Sequence, residues 1–336
     1  MTTTTSRTAS RAPATESRSR LALVAAPSPT DARDARVEPG ARALVVDPAG
    51  HGGTERRDWV RQVLGVTVTV HARGPAARGP EADGAARSLF AELSAVERLV
   101  GAGRPTSELS RLARGELSLA EANPVLRELH ETCVAAHVRT EGAVDAWAGA
   151  AGADGRFAPG ALVTTWALDR AARHLDGVPG VAFAVEAGGD LLLRGEHPPD
   201  DTTGPAASGP ADAVPGRATR SSDGAGPALL DAEPWHVEIE HPRDRRLVLA
   251  TLPVHDGGVA TAVSGDADVV DLRSGIAEPT VVAATVVGSS LVWSDVWARA
   301  AVAHGTSAVE WVATLRGTRG LLVLADGTVH RWHTPG

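Results

Sequence analysis

From Trp59 onward the apolar residues of this chain keep changing their spacing, and that alternation limits the folds open to it. A spacing of two marks a strand in a sheet, whereas a spacing of three and four marks a helix laid against one. The run Val63–Val70 is β-branched and alternates Val66, Val68 and Val70 with Thr67 and Thr69, which predicts a strand. Gly84–Val100 then places Leu89, Leu93, Val96 and Leu99 or Val100 at helical spacing, and a second short segment, Thr106–Arg114, follows a Gly-rich turn. The clearest helix is predicted over Asn123–Arg139, with Asn123 as its cap, Pro124 at the first helical position and Val125, Leu129, Cys133 and Ala136 as the apolar stripe. Further on, the pattern predicts a helix at Thr165–Leu175 and a hairpin of Val181–Glu186 with Leu191–Arg194, turning at Gly188-Gly189-Asp190. Strands are predicted at Trp235–Glu240, Leu247–Leu252 and Thr280–Val287. Helices follow at Ser294–Ala303 and Ser307–Leu315, and a last hairpin turns through Asp326-Gly327. Strands and helices mix without a strict strand–helix–strand rhythm. That predicts an α+β fold of mixed sheet and helix layers, not a doubly wound sheet.

Two stretches carry no such period. Met1–Arg20 is almost entirely Thr, Ser, Arg, Ala and Pro, which bury too little apolar surface to offset chain entropy. Residues 1–55 are therefore expected to be a disordered tail. Pro198–Pro227 is rich in Pro, Gly, Ser, Ala and Asp, and strand patterns resume after it. Residues 197–231 are thus expected to be a disordered insertion within one domain spanning 56–335. Leu21–Ala26 is an apolar run of six residues ending at Pro27, short of the roughly 7–15 that an export signal needs. A cytoplasmic protein is the expectation. The longest apolar stretches, Leu21–Pro27 and Thr280–Gly288, also fall short of the ~20 residues of a membrane span.

Composition removes several classes of chemistry. The net charge of −8 over 336 residues argues against the basic face of a nucleic-acid binder. All 33 basic residues are arginine, so Schiff-base lysines and Walker-type phosphate loops are excluded. The single cysteine, Cys133, rules out a disulfide framework and a Cys-rich zinc site, and its place on a helical stripe reads as core. No Gly-x-Ser-x-Gly elbow or Gly-x-Gly-x-x-Gly loop is present, and the histidines lack zinc-site spacing.

Several separated segments do carry a pattern. In order they are Thr106–Leu112 (TSELSRL), Gly142–Trp147 (GAVDAW), Gly160–Ala172 (GALVTTWALDRAA), Ala187–Gly195 (AGGDLLLRG), Val259–Gly275 (VATAVSGDADVVDLRSG) and Ser294–Ala300 (SDVWARA). Each is weak alone. Their joint order, over about residues 60–332, resembles the FAD:protein FMN transferases, the ApbE-type flavin transferases. The resemblance implies Mg²⁺-dependent cleavage of the FAD pyrophosphate, transfer of FMN to a Ser or Thr hydroxyl of an acceptor protein, and release of AMP. Such chemistry needs oxygen ligands for a hard cation, a base beside the incoming hydroxyl, and a pocket for the dinucleotide. By the resemblance, Asp295 and the Ala161 carbonyl hold Mg²⁺, with Arg299 at a further metal-ligand position, and Asp268 stands where the base belongs. Ala143, Asp145, Thr164, Gly188, Gly189 and Asp190 then seat FAD, with Trp147 and Trp166 as apolar walls. Two other readings stand beside these: Asp295 as a helix cap favoured by the helix dipole, and Gly188–Asp190 as an ordinary hairpin turn.

The chain departs from the family pattern at several of these places. The family's Asn after Ser-x-Leu is Ala113, and its adenosine-facing Asp is Ala158. Its Lys-Gly pair is Thr164-Thr165, its His base is Asp268, and its metal-binding Thr is Arg299. Arg299 stands four residues after Asp295 on the same helix face, where it is expected to pair with that carboxylate or occupy the cation's place. Two functions follow: an active flavin transferase, and a degenerate relative that binds flavin or nucleotide, or serves as a scaffold, without catalysis.

Overall fold

The described residues of the computed structural model are 43–46, 55–101, 103–147, 156–195, 233–265 and 280–336. The first half runs β1 (Ala43–Val46), β2 (Arg56–Val63), β3 (Val66–Arg73), α1 (Pro80–Val100), α2 (Glu108–Ala113), α3 (Pro124–Arg139) and α4 (Leu162–Ala171). The second half runs β4 (Ala182–Ala187), β5 (Asp190–Arg194), β6 (Trp235–His241), β7 (Asp244–Val254), β8 (Gly257–Val263) and β9 (Val281–Gly288). It ends with α5 (Leu291–His304), α6 (Ala308–Val312), β10 (Thr318–Leu324) and β11 (Val329–Thr334). Eight strands pair antiparallel in the order β11-β10-β9-β8-β5-β4-β3-β2, and β1-β6-β7 form a second antiparallel sheet. The fold is the α+β arrangement of sheet and helix layers that the apolar spacing predicts.

The large sheet is covered on both faces, which is why its central strands read as nearly continuous apolar runs. Phe183, Val185 and Leu192 point into a core built with Leu89 and Phe90 of α1, Leu129 of α3, Leu168 of α4 and Val296 of α5. The alternate residues Ala182, Ala184, Leu191 and Leu193 face Trp235, Val237 and Ile239 of the small sheet. The period-two geometry of a strand makes this division automatic. The Arg73 guanidinium lies 3.9 Å from the Trp235 ring centre and joins the two sheets by a cation–π contact. On the helical side, Glu92 of α1 accepts from Arg173 at 2.7 and 2.6 Å and pairs with Arg170 of α4 at 3.0 Å.

Three expectations need correction. Val63–Val70 is not one strand but the tip of the β2–β3 hairpin, which turns through Leu64 and Gly65 at φ 56° and 79°. Left-handed pairs at such turns usually carry Asn or Asp before the Gly, and Leu64 gives no such cue. Ala43–Val46 falls inside the stretch assigned to a tail, yet it forms β1 along β6, with Ala43 fully buried. The helix predicted from Thr165 starts at Leu162 and passes into a 3₁₀ turn, Ala172–His174. Asn123 does cap α3, accepting from the Val125 N–H at 3.0 Å, and Cys133 is core. Residues 1–42, 47–54 and 196–232 lie outside the described residues.

Candidate functional site

The position of α5 is set by two close contacts at its start. β8 crosses beneath it at Gly258, where a Cβ would fall 2.3 Å from Leu291 Cα and 2.6 Å from its nitrogen, so only glycine fits. The first turn of α5 is capped from two sides. The Ser290 hydroxyl accepts from the Trp293 N–H at 3.4 Å, and Asp169 of α4 accepts from the Leu291 and Val292 N–H groups at 3.1 and 3.2 Å. Asp169 also accepts from the Ser290 hydroxyl. A carboxylate there satisfies orphan donors and suits the helix dipole. The contact pins α4 to α5 and so fixes the relation between side chains one turn further along each helix.

One of those side chains is Asp295. It is 2% exposed and sits inside α5, one turn beyond the capped end, so it is not the helix cap. Its Oδ2 accepts from the Thr165 hydroxyl at 2.9 Å, and its Oδ1 accepts from Arg299 Nε at 2.6 Å. Charge-assisted bonds of this length are the strong ones, and together they hold both carboxylate oxygens. Ala161 lies at the exposed entry to α4, and its carbonyl accepts from the Thr164 N–H at 3.0 Å.

These residues do not fit Mg²⁺. That ion asks for oxygen ligands in near-ideal octahedral geometry, while Asp295 already serves two donors. An ion placed on Asp295 would lie beside the Arg299 guanidinium, whose like charge repels it in a site with little water to screen the two. Among the described residues no group of three His, Cys, Asp or Glu is placed to hold a metal.

The residues expected to seat FAD fall into two groups. Ala143–Trp147 forms the turn after α3, where Asp145 accepts from the Trp147 N–H at 2.7 Å and lies 3.6 Å from His137 Nδ1. The Trp147 ring meets Phe157 and His130, each at 5.4 Å, and the Ala158 N–H donates to the Ala146 carbonyl at 2.7 Å. Phe157 thus ties the Ala143–Trp147 turn to the segment that leads into α4, the helix that carries Thr164 and, through Thr165, reaches Asp295. The second group is the Gly188-Gly189 turn at φ 64° and 101°, where Asp190 accepts from the Thr261 N–H at 3.1 Å and the Gly189 carbonyl from the Ala43 N–H at 3.1 Å. Thr261 lies between Ala260 and Ala262, both of which pack against α5, so β8 links this turn to the Asp295 helix. Trp166 is 3% exposed and belongs chiefly to the core. Asp268 lies outside the described residues. An open cleft of about 450 Å³ beside the start of α5 is lined by Glu128, Trp166, Asp169, Arg170, Ser290 and Trp293, among others, but not by Asp295, Thr165 or Arg299.

Thr165 and Asp169 carry no functional signal in the sequence, where Thr165 shows only as a lost glycine. Each acts on a helix more than 120 residues away, and neither partner leaves a local signal.

A family model described as the ApbE family matches residues 150–322, which include α4, the Gly188–Asp190 turn and α5. The chain belongs to the ApbE family. Solved structures bear out the fold. The ApbE protein of Thermotoga maritima aligns with TM-score 0.59 at 16% identity, covering 82% of this chain and 97% of that one. The flavin transferase ApbE of Vibrio cholerae aligns with TM-score 0.57 at 17% identity, covering 84% and 98%. The flavinyl transferase ApbE of Pseudomonas stutzeri aligns with TM-score 0.58 at 16% identity, covering 84% and 95%. No curated protein matches the chain. Within this ApbE member, no helix among the described residues is long and apolar enough to cross a membrane.

Proposed function

We propose that this chain is a flavin transferase that takes FAD as donor, moves FMN to a Ser or Thr hydroxyl of an acceptor protein, and releases AMP. The observation that carries this reading is the ApbE match over residues 150–322, which include Ala161, Thr164, the Gly188–Asp190 turn and Asp295. Ala143, Asp145, Thr164 and the Gly188–Asp190 turn are the proposed dinucleotide seat. The acceptor oxygen forms a new bond to the FMN phosphorus as the pyrophosphate P–O bond breaks. AMP leaves with the bonding electrons, and the hydroxyl proton passes to the Asp268 carboxylate as general base. No step is routed through Mg²⁺, because the residues around Asp295 do not fit it.

One observation favours a second reading. Both oxygens of Asp295 are taken by Thr165 and Arg299, which suits a family member that binds a flavin nucleotide without transferring it. Incubating the full chain with FAD and a Ser/Thr acceptor peptide, with and without Mg²⁺, separates the two. Fluorescent peptide in a gel together with AMP release supports the transferase. Flavin binding with an unlabelled peptide supports the second reading, and the absence of both overturns the two together.

A further inference from the structure

Two of the departures from the family pattern meet at one carboxylate. Thr165 stands where the family has glycine, and its hydroxyl reaches Asp295 at 2.9 Å across 130 residues of sequence. Arg299 stands where the family has a metal-binding threonine, and its Nε reaches the other oxygen at 2.6 Å. A glycine would leave the first oxygen without this donor, and a threonine would leave the second without a charge. The side chains of Arg299 and Asp295 are 12% and 2% exposed, so the pair sits where water screens it little. We propose that the Arg299 guanidinium is the resident cation beside Asp295. The chain has exchanged a divalent-ion site for an internal knot of Asp295, Arg299 and Thr165, and it takes its dinucleotide without a divalent ion.

A guanidinium is charged at every accessible pH and is not removed by chelators. It neutralises Asp295 permanently, whereas a bound ion comes and goes with its concentration. The exchange predicts that divalent ions have no purchase on Asp295 until Arg299 is gone. The part of the proposal that concerns the dinucleotide rests on the function proposed above, and the part that concerns the ion does not.

The test is Mn²⁺ binding to the full chain, read by electron paramagnetic resonance, with Asp295→Asn as the control. Wild type is expected to show no Mn²⁺ binding that Asp295→Asn removes, up to millimolar ion. Arg299→Thr is expected to gain such a site and to lose it again in the Arg299→Thr/Asp295→Asn double variant. Micromolar Mn²⁺ binding by wild type that Asp295→Asn abolishes overturns the proposal, as does a folded Arg299→Thr that gains no Mn²⁺. Should Arg299→Thr not fold, the comparison of wild type with Asp295→Asn still decides. Separately, FAD affinity read by quenching of flavin fluorescence is expected to agree within about twofold between EDTA and millimolar Mg²⁺, and about tenfold tightening by Mg²⁺ overturns the inference. Failure of wild type to bind FAD at all removes the function proposed above, while the Mn²⁺ measurement still decides the identity of the cation.

Discussion

Asp295 is enclosed and accepts from one charged and one neutral donor, so its partners carry an unequal load. Arg299 supplies the compensating charge, and removing it strands a buried anion. Arg299→Ala is therefore expected to cost about 3–5 kcal/mol in urea unfolding. Thr165→Val removes a neutral donor and keeps the shape, and it is expected to cost about 1–2 kcal/mol. Because both side chains serve the same carboxylate, their combined cost is expected to differ from the sum, by about 0.5–3 kcal/mol in a double-mutant cycle. Strict additivity would mean that the two donors do not act on one group. The spacing of Asp295 and Arg299 made their pairing legible in the sequence. Thr165 was legible only as a missing glycine, since a contact between α4 and α5 has no local periodicity to announce it.

At the scale of elements, the site depends on how α5 is seated. Gly258→Ala drives a methyl group into the Leu291 backbone, with contacts of 2.3 and 2.6 Å that no rotamer relieves. It is expected to destabilise the fold by about 1–3 kcal/mol, or more if α5 cannot shift, and a loss below a few tenths in thermal or urea unfolding would show that α5 does not lie this close to β8. Asp169→Ala leaves the Leu291 and Val292 N–H groups without their cap and is expected to cost about 1–2 kcal/mol. The matching signature is faster hydrogen exchange at those two amides, with the amides of α3 unchanged. Local chemistry explains which elements could be read in advance. Asn123-Pro124 announces a helix start, and Gly188-Gly189 and Asp326-Gly327 announce turns, because each pair favours one backbone geometry wherever it occurs. Leu64-Gly65 turns equally sharply under a residue that rarely does so. The four residues of β1 gain their strand from β6, nearly 200 positions away, and the run Ala43–Val46 alone is too short to predict one.

For the molecule as a whole, the central strands of the large sheet are buried on both faces, and the helical core contains the chain's one cysteine. Cys133 lies on the inner face of α3 at 1% exposure, in a core it shares with Leu129, Ala136 and Leu168. Burial pushes its thiol up to about 12 from an ordinary value of 9.0. The thiolate is the reactive form, so the native thiol is doubly protected, by its neighbours and by its proton. Alkylation at pH 8 is therefore expected to proceed only through opening of this core, and its rate in a urea series should rise with the unfolded fraction seen by circular dichroism. The same shift sets a pH dependence. The folded thiol keeps its proton where the unfolded one has begun to lose it, so the stabilisation is complete below pH 9 and is lost as the pH rises from about 9 towards 12. Replacing Cys133 with Ala should flatten that alkaline decline, at a constant cost for the lost side-chain packing. Labelling of the native protein at the rate of a free thiol would mean that α3 opens independently of the rest of the core. The Ala143–Trp147 turn, which follows α3 and is proposed to seat the dinucleotide, would then not be held in place by the core.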